Sequence, residues 1–418
     1  MTARHLTPLI AALGIAVASQ ALAQQLGVGG APTGHRHKLR PVPARPHPAP
    51  NGNSPDFGDP LVGLSASETA AFLAGREEFE SVETVEGGLG PIYNNDSCAA
   101  CHSTPVSGGV SATTVTRFGR RAHGRFDPLE NLGGSLQQQF ATVPAALEQL
   151  PPEANVVARR LTTPLFGAGL IEAIPDAEIL TNAARRQPDG VSGRAARIVD
   201  VTTGAPRIGR LGWKAQHATL LGFAGDAYLN EMGVTNRFFP AENAPNGNQA
   251  LLASVITTRG MNDPPDPLTG RSDIDASADF MRLLAPPTPL RMTASALAGQ
   301  QVFEQAHCNA CHTPTLTTGP STVQAIANRT VALYSDLLLH DMGSLGDGIE
   351  QGAAKASEIK TAPLWGLRIR AQLLHDGRAA TVNDAVLAHD GEAAAARERY
   401  RQLSPADARA LLDFLDSI

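Results

Sequence analysis

The placement of the four cysteines constrains this chain more than any other feature. They form two CxxC pairs, and a histidine follows each pair directly: Cys98, Cys101 and His102, then Cys308, Cys311 and His312. This pattern is typical of covalent haem attachment, in which the two thiols add to the vinyl groups and the histidine binds the iron. Two disulfides, or one zinc site made of all four cysteines, are the alternatives, but neither explains the two histidines. The sequence therefore predicts two covalently bound haem c groups.

The amino terminus predicts export from the cytoplasm. Residues 1–23 combine a basic start at Arg4, an apolar run over 9–18 and the tripeptide Ala-Leu-Ala, which together form the pattern of a cleaved signal peptide. Residues 24–56 are rich in proline and basic residues and poor in aliphatic ones, which predicts a flexible, partly extended tether. We therefore expect a periplasmic protein whose folded part begins near residue 57.

Charge and hydropathy argue against two classes of partner. The net charge is −6 and no long run of lysine and arginine occurs, so we expect no nucleic-acid partner. No stretch after the signal peptide reaches the ~20 apolar residues that a spanning helix needs. We therefore expect no membrane span.

Helical patterns precede both cysteine motifs and close the chain. Ser67 is a candidate N-cap for a helix before the first motif, and Thr293 or Ser295 is the candidate before the second. Ser404 followed by Pro405 predicts a capped final helix. No strong run of alternating strand residues appears, so we expect a mostly α fold.

A proline cluster divides the two helical parts. Pro286, Pro287 and Pro289 interrupt the pattern just before the helix of the second motif. We therefore expect two cytochrome c-like haem domains with long irregular loops, an N-terminal one over residues 57–289 and a C-terminal one over 290–418.

Six stretches of the chain together resemble one known family. They are GPIYNNDSCAACH (90–102), RRLTTPLFGAGLIEAIPD (159–176), GWKAQHATLLGFAGDAYLNEMGVTNRFFP (212–240), CNACHTP (308–314), LLLHDMGSLGDG (337–348) and KTAPLWGLRIRAQLLHDGRAAT (360–381). Through them the chain resembles the di-haem oxidoreductase family, once called thiol oxidoreductases, which is related to bacterial di-haem cytochrome c peroxidases and to MauG. The resemblance implies a peroxidase-like enzyme that uses peroxide or oxygen and exchanges electrons with a small redox protein.

The resemblance also implies a sixth ligand for the second haem. In the related peroxidases this ligand follows the histidine of an HDG motif by fourteen residues; that histidine is His375 here, so the ligand opposite His312 would be His389. Met342 is the alternative ligand, and a solvated loop histidine is the alternative interpretation of His389. Two imidazoles imply a low-potential haem that transfers electrons, because methionine is the ligand that raises the potential.

Near the first haem, residues 213–231 resemble the peroxidase stretch that runs from a tryptophan between the haems to a distal glutamate. The resemblance implies Trp213 as an electron relay and Glu231 as a general acid/base over an open iron. The proline of the family's AsnProXaaGluMet motif is absent here. A core tryptophan and an exposed loop carboxylate are the alternative interpretations. His123 is the alternative sixth ligand, and it would close the first haem.

Four further residues have lesser expected roles or none. We interpret His217 as a structural histidine and Gln216 as a candidate pocket residue. The peroxidases bind calcium through positions that correspond to Arg370 and Gln372, and these residues do not match the family's ligands. We therefore do not expect calcium.

Three functions compete for these residues. The preferred one is a di-haem oxidoreductase whose first haem activates peroxide or oxygen and whose second haem passes electrons through Trp213. The main alternative is a di-haem electron carrier without its own substrate, in which both irons would be six-coordinate. The third is an oxygenase of the rubber-cleaving kind, for which the sequence identifies no hydrophobic substrate channel.

Overall fold

The computed structural model describes residues 56–256 and 261–418. The predicted signal peptide and all but the last residue of the predicted tether lie outside this part of the chain. By internal contacts the chain divides into residues 1–44 and 45–418, and every described residue belongs to the second unit. No helix in the described ranges is long and apolar enough to cross a membrane.

Helix α1 (Ala66–Glu80) begins at a capping box. The Ser65 hydroxyl accepts a hydrogen bond from the Glu68 N–H at 3.2 Å, and the Glu68 carboxylate accepts one from the Ser65 N–H at 2.7 Å. The predicted helix is confirmed, but its N-cap is Ser65 rather than Ser67. Only Ser65 has a glutamate three residues later, and that glutamate closes the box.

Ten further helices follow in the described ranges. They are α2 (Cys98–Cys101), α3 (Ala168–Glu172), α4 (Asp176–Ala184), α5 (Leu220–Met232), α6 (Gln249–Val255), α7 (Asp273–Leu283), α8 (Ala294–Gln305), α9 (Val382–Ala388), α10 (Ala394–Arg401) and α11 (Pro405–Ser417). The predicted caps of α8 and α11 are confirmed: Thr293 accepts from the Ala296 N–H at 3.1 Å, and Ser404 accepts from the Asp407 N–H at 3.2 Å.

Short antiparallel strands lie between the helices. Their bounds are β1 (Ile92–Tyr93), β2 (Thr114–Ala122), β3 (Arg125–Asp127), β4 (Leu136–Gln137), β5 (Phe140–Ala141), β6 (Val156–Leu161), β7 (Ala196–Val199), β8 (Pro206–Gly209), β9 (Leu316–Thr317), β10 (Thr330–Val331), β11 (Leu339–Asp341) and β12 (Glu358–Lys360). Strand β2 is central to the largest sheet and pairs with β3, β4 and β6; the other pairs are β1 with β5, β7 with β8, β9 with β10 and β11 with β12.

Because of these strands, the expectation of a mostly α fold is only partly confirmed. Helical segments account for only 36% of the described residues. The longest pairing runs from Thr114 opposite Leu161 to Gly119 opposite Val156. The sequence pattern does not predict these strands, because arginines interrupt the apolar alternation in TVTRFGRRA and VVARRL.

Two main hydrophobic cores of the described residues hold most of the helices together. In the larger core the rings of Phe72 and Phe79 lie 5.3 and 4.8 Å from that of Phe280, so that α1 packs against α7. Gly75 permits this approach, because a Cβ there would collide with the carbonyl of Ala276.

The smaller core joins α8 to α11. The ring of Phe303 lies 5.4 Å from that of Phe414 and 5.9 Å from that of Tyr334, with edges against faces. The larger core includes Leu333 and Trp365 from beyond residue 290 as well as residues before it. The domain boundary at 290 stays a prediction.

Candidate haem sites

The first cysteine motif forms the short helix α2. The Ser97 hydroxyl accepts a hydrogen bond from the Ala100 N–H at 3.2 Å, which starts the helix, and the His102 N–H donates to the Cys98 carbonyl at 3.0 Å. This single turn brings Cys101 and His102 close behind Cys98. All four cysteines of the chain have free thiols in the structure, so they are available for thioether bonds.

The His102 ring is held in the tautomer that suits a metal ligand. Its Nδ1 lies 3.1 Å from the carbonyl oxygen of Gly109, to which only a protonated Nδ1 can donate. Burial lowers the pKa of His102 to about 4, so the ring is neutral and Nε2 keeps its lone pair. A hydrogen bond from the other ring nitrogen to a backbone carbonyl is the usual way of orienting a metal-binding histidine.

His312 repeats this arrangement in the second motif. Its Nδ1 lies 2.9 Å from the carbonyl oxygen of Tyr334. Burial, followed by the nearby His389, lowers the pKa of His312 to about 4. The neutral ring again presents Nε2 as a free lone pair.

His389 lies opposite His312. It follows helix α9, and its Nδ1 lies 2.7 Å from the carbonyl oxygen of Ala385, while burial lowers its pKa. The two ring centres are 6.4 Å apart. With metal–nitrogen bonds of about 2.0–2.1 Å and a ring radius of roughly 1.1 Å, two imidazoles that share one metal ion have centres about 6.3 Å apart. The pair therefore has the spacing of two axial ligands.

A large cavity surrounds these two histidines. Its empty space is about 1380 Å³, counting the part open to solvent. Much of its wall is apolar; the wall also contains the attachment and candidate ligand residues Cys308, Cys311, His312, Met342 and His389. Thiols, a free imidazole pair and an apolar wall fit a covalently attached haem. We call this space the larger cavity.

Trp213 lies where the larger cavity meets a second one. The smaller cavity has about 600 Å³ of empty space and is lined by Thr163, Leu165 and Trp365 among others. Trp213 lines both cavities. It is buried, and its indole N–H donates to the Leu161 carbonyl at 2.8 Å, which fixes the ring.

Glu231 lies beside the first motif, near the end of helix α5. Its Oε2 accepts a hydrogen bond from the Asn94 side chain at 2.8 Å, and its carbonyl accepts from the N–H groups of Asn94 and Asn95. The Asn95 side chain in turn lies 3.5 Å from the Cys101 sulfur. Burial raises the pKa of Glu231, while Arg117 and Asn94 oppose the increase. The structure therefore brings this carboxyl to the attachment helix.

A family model described as "Di-haem oxidoreductase, putative peroxidase" matches residues 127–418. This chain belongs to the di-haem oxidoreductase family. The match confirms the resemblance found in the sequence and implies two haems in each chain.

Other comparisons with the di-haem oxidoreductase give weaker likenesses. No curated protein sequence matches it. Among solved structures, hydrazine synthase from Kuenenia stuttgartiensis is 14% identical with a TM-score of 0.41, covering 90% of this chain and 99% of its own. The diheme peroxidase BthA from Burkholderia thailandensis is 15% identical with a TM-score of 0.38, covering 83% and 85%. Likeness at this level carries no argument about activity.

The other three residues considered near the first haem, His123, His217 and Gln216, lie in different surroundings. His123 is exposed at the tip of the β2–β3 hairpin. His217 lies 3.3 Å from Asp226 and stacks on Phe223, with ring centres 5.1 Å apart, as a structural histidine would. The Gln216 side chain accepts from the Lys214 N–H at 3.3 Å. None of these contacts connects the three residues to His102.

The sequence analysis missed a buried cluster beside the second motif. His340 is 2% exposed and lies 2.9 Å from Asp336 and 2.8 Å from Glu392, with the Cys311 sulfur 3.5 Å away. Burial opposes its charged form, but hydrogen bonds to the two carboxylates raise the pKa of His340 to about 12. The LLLHDMG stretch was the available indication, yet Glu392 lies 52 residues further along the chain.

Proposed function

We propose that this di-haem oxidoreductase is a periplasmic, peroxidase-like c-type cytochrome with two unequal haem sites. The proposal rests on one difference between the surroundings of the two motif histidines. His312 faces the imidazole of His389 at 6.4 Å, whereas the ring recorded next to His102 within the described ranges is the phenyl group of Phe79, at 5.9 Å. A phenyl group cannot bind a metal. Among the described residues, the second site thus has a second imidazole beside its motif histidine, and no such imidazole contact accompanies His102.

The residues that would hold the two haems follow from this contrast. Cys98, Cys101 and His102 would hold the first; Cys308, Cys311, His312 and His389 would hold the second. Bound haem supplies one-electron iron chemistry and, where a coordination position is open, reactivity toward peroxide or oxygen. His312 and His389 would both bind the second haem, which would suit this site to electron transfer.

Glu231 would move the proton at the first site. The Asn94 side chain donates a hydrogen bond to Oε2 of Glu231, whereas Oε1 accepts none from the described residues. Oε1 would therefore be the atom available to peroxide. The carboxylate would take a proton from one peroxide oxygen and return it to the leaving oxygen. The raised pKa of Glu231 favours this exchange, because a carboxyl group that titrates nearer neutrality both accepts and releases a proton readily.

Trp213 would divide the electron transfer between the two haem sites into shorter steps. It lines both cavities, its N–H is fixed by Leu161, and its own carbonyl accepts the Lys360 N–H at 2.9 Å. A rigid aromatic ring in the wall of the cavity that contains the second motif supports its role as an electron relay. The electrons would come from a small redox protein in the periplasm. The predicted signal peptide and the extracytoplasmic assembly of c-type haems support this location.

Stopped-flow mixing with hydrogen peroxide tests this function. In the wild type we expect peroxide to react at the first haem and the reduced second haem to be oxidised afterwards. Trp213→Phe should slow the second phase and leave the first unchanged, since the phenyl ring keeps the bulk but not the redox-active indole. Trp365→Phe is the matched control, because the other tryptophan lines only the smaller cavity. A wild type that does not react with peroxide would favour the electron carrier.

A further inference from the structure

Buried cations in the described part of this chain usually have a carboxylate partner. Arg160 and Lys214 share Asp347, at 2.7 and 2.8 Å. Arg210 is fully buried and pairs with Asp176. Such pairing is expected, because a charge taken out of water without a counter-charge is strongly unfavourable.

Lys360 and Arg370 depart from this rule. Lys360 is 7% exposed, and its Nζ donates to the Thr361 carbonyl at 3.2 Å. The Nε of Arg370 is buried and has no hydrogen-bond partner in the described ranges. Neither side chain forms an ion pair with a carboxylate of the described residues. Burial lowers the pKa of Lys360 to about 8 and that of Arg370 to about 10, yet both groups remain cationic at neutral pH.

Both cations line the junction of the two cavities. Lys360 and Arg370 are part of the wall of the larger cavity and also of the smaller one. The backbone N–H of Lys360 donates to Trp213, which lies at the same junction. Arg370 directly follows the helical turn Leu367–Ile369. Asp336 favours the charged form of Lys360 without forming an ion pair with it. An anion at this junction would supply a direct partner for both cations.

We propose that Lys360 and Arg370 bind the propionate carboxylates of the haem held in the larger cavity, at its junction with the smaller one. This proposal rests on the proposed function. A haem carries two propionates as its charged side groups. A covalently attached haem is present in every folded molecule, whereas a free carboxylic acid would be present only while bound. Permanent burial of two cations calls for a permanent counter-charge, so the cofactor is the favoured source.

The proposal has a consequence for electron transfer. A cation beside a propionate disfavours the oxidised iron, which carries the additional positive charge. Removing the cation should therefore lower the midpoint potential of the second haem. Trp213 lies beside Lys360. The two cations would therefore also influence the electrostatic potential along the proposed electron-transfer path between the haems.

The test uses the haem-loaded protein with Lys360→Met and Arg370→Gln. We expect both variants to keep two haems by intact mass, to change the propionate bending bands in resonance Raman spectra, and to lower the midpoint potential of the second haem. Lys360→Arg should keep the wild-type potential, because it keeps the charge. Lys355→Met is the matched control: Lys355 is an exposed lysine five positions earlier, and its removal should change neither signal.

Three outcomes would overturn the proposal. In the first, both variants match Lys355→Met in Raman bands and potential. In the second, the wild-type potential depends on added acetate and the variants abolish that dependence while the propionate bands stay constant, which would identify a free carboxylate as the ligand. In the third, Lys360→Met is unstable and Arg370→Gln leaves the bands unchanged. A wild-type mass with fewer than two haems would instead contradict the proposed function.

Discussion

The imidazole rings of His312 and His389 face each other with their centres 6.4 Å apart. Each ring donates its Nδ1 proton to a backbone carbonyl, of Tyr334 and Ala385 respectively, so that both Nε2 lone pairs remain available. This arrangement is the basis for the proposal that the second haem would have two histidine ligands and a role different from that of the first.

His389→Gly should convert the second haem from low to high spin. The glycine removes one axial nitrogen, while His312 and both thioethers keep the haem in place. Optical and magnetic spectra of the purified variant check this, and the haem content should stay at two. Met342→Ala is the control, because Met342 also lines the larger cavity. A low-spin signal that survives in His389→Gly and disappears in Met342→Ala would identify Met342 as the ligand.

Replacing either cysteine pair should remove one haem. Cys98→Ala with Cys101→Ala, or Cys308→Ala with Cys311→Ala, eliminates both thioether bonds of one site and leaves the other site complete. Intact mass spectrometry after acid extraction of loose haem measures the loss. Each double variant should carry one covalent haem where the wild type carries two. A wild-type mass that includes fewer than two haems would refute covalent attachment at both motifs.

Glu231→Gln should slow the reaction of the first haem with peroxide by ~10²–10⁴. Glutamine keeps the size and the Asn94 contact but cannot carry the proton. Because burial raises the pKa of Glu231, the wild-type rate should increase with pH through a value above the ordinary 4.5. The variant should lose this dependence.

Glu242→Gln provides the control for this experiment, since Glu242 is another carboxyl whose burial raises its pKa, to about 7. Its replacement should leave the peroxide rate unchanged. If Glu231→Gln reacts with peroxide within a factor of about three of the wild-type rate, Glu231 is not the general acid/base and its role is structural.

Asp347→Asn should destabilise the protein by about 3–5 kcal/mol, because it leaves the buried Arg160 and Lys214 without their counter-charge. Burial opposes the ionised form, but the two cations hold the pKa of Asp347 below its ordinary 3.8. The stabilisation is therefore fully present above that ordinary value and is lost as the pH falls through the lower, folded-state pKa.

Urea unfolding at neutral and acid pH measures this difference, which should be largest at neutral pH and shrink toward acid. Glu350→Gln is the control, because Glu350 forms an exposed pair with Arg121 at 3.1 Å and should contribute no more than about 1 kcal/mol. Equal losses in the two variants would contradict the account of the buried cluster.

Local signals in the sequence were sufficient for the attachment motifs and for several helix ends. Thr293 and Ser404 cap their helices as predicted, because a cap depends only on residues within one turn. The cap of α1 is Ser65, two residues before the predicted Ser67, because only the Ser65–Glu68 pair forms a reciprocal capping box.

Contacts between distant residues could not be predicted in this way. Arg160 and Asp347 are 187 positions apart, and nothing near either residue indicates the other. Strands β2 and β6 pair across the sheet through segments whose arginines hide the period of two. Lys360 and Arg370 belong to a stretch that resembled the family, but only the folded cavities show that both lack a carboxylate partner within the described ranges.

Electron paramagnetic resonance of the oxidised wild-type protein tests the central claim of two unequal haem sites most directly. The account predicts one low-spin ferric signal from the site of His312 and His389 and one high-spin ferric signal from the site of His102, in equal amounts. Two low-spin signals would contradict it, because both irons would then be six-coordinate and the protein would be an electron carrier.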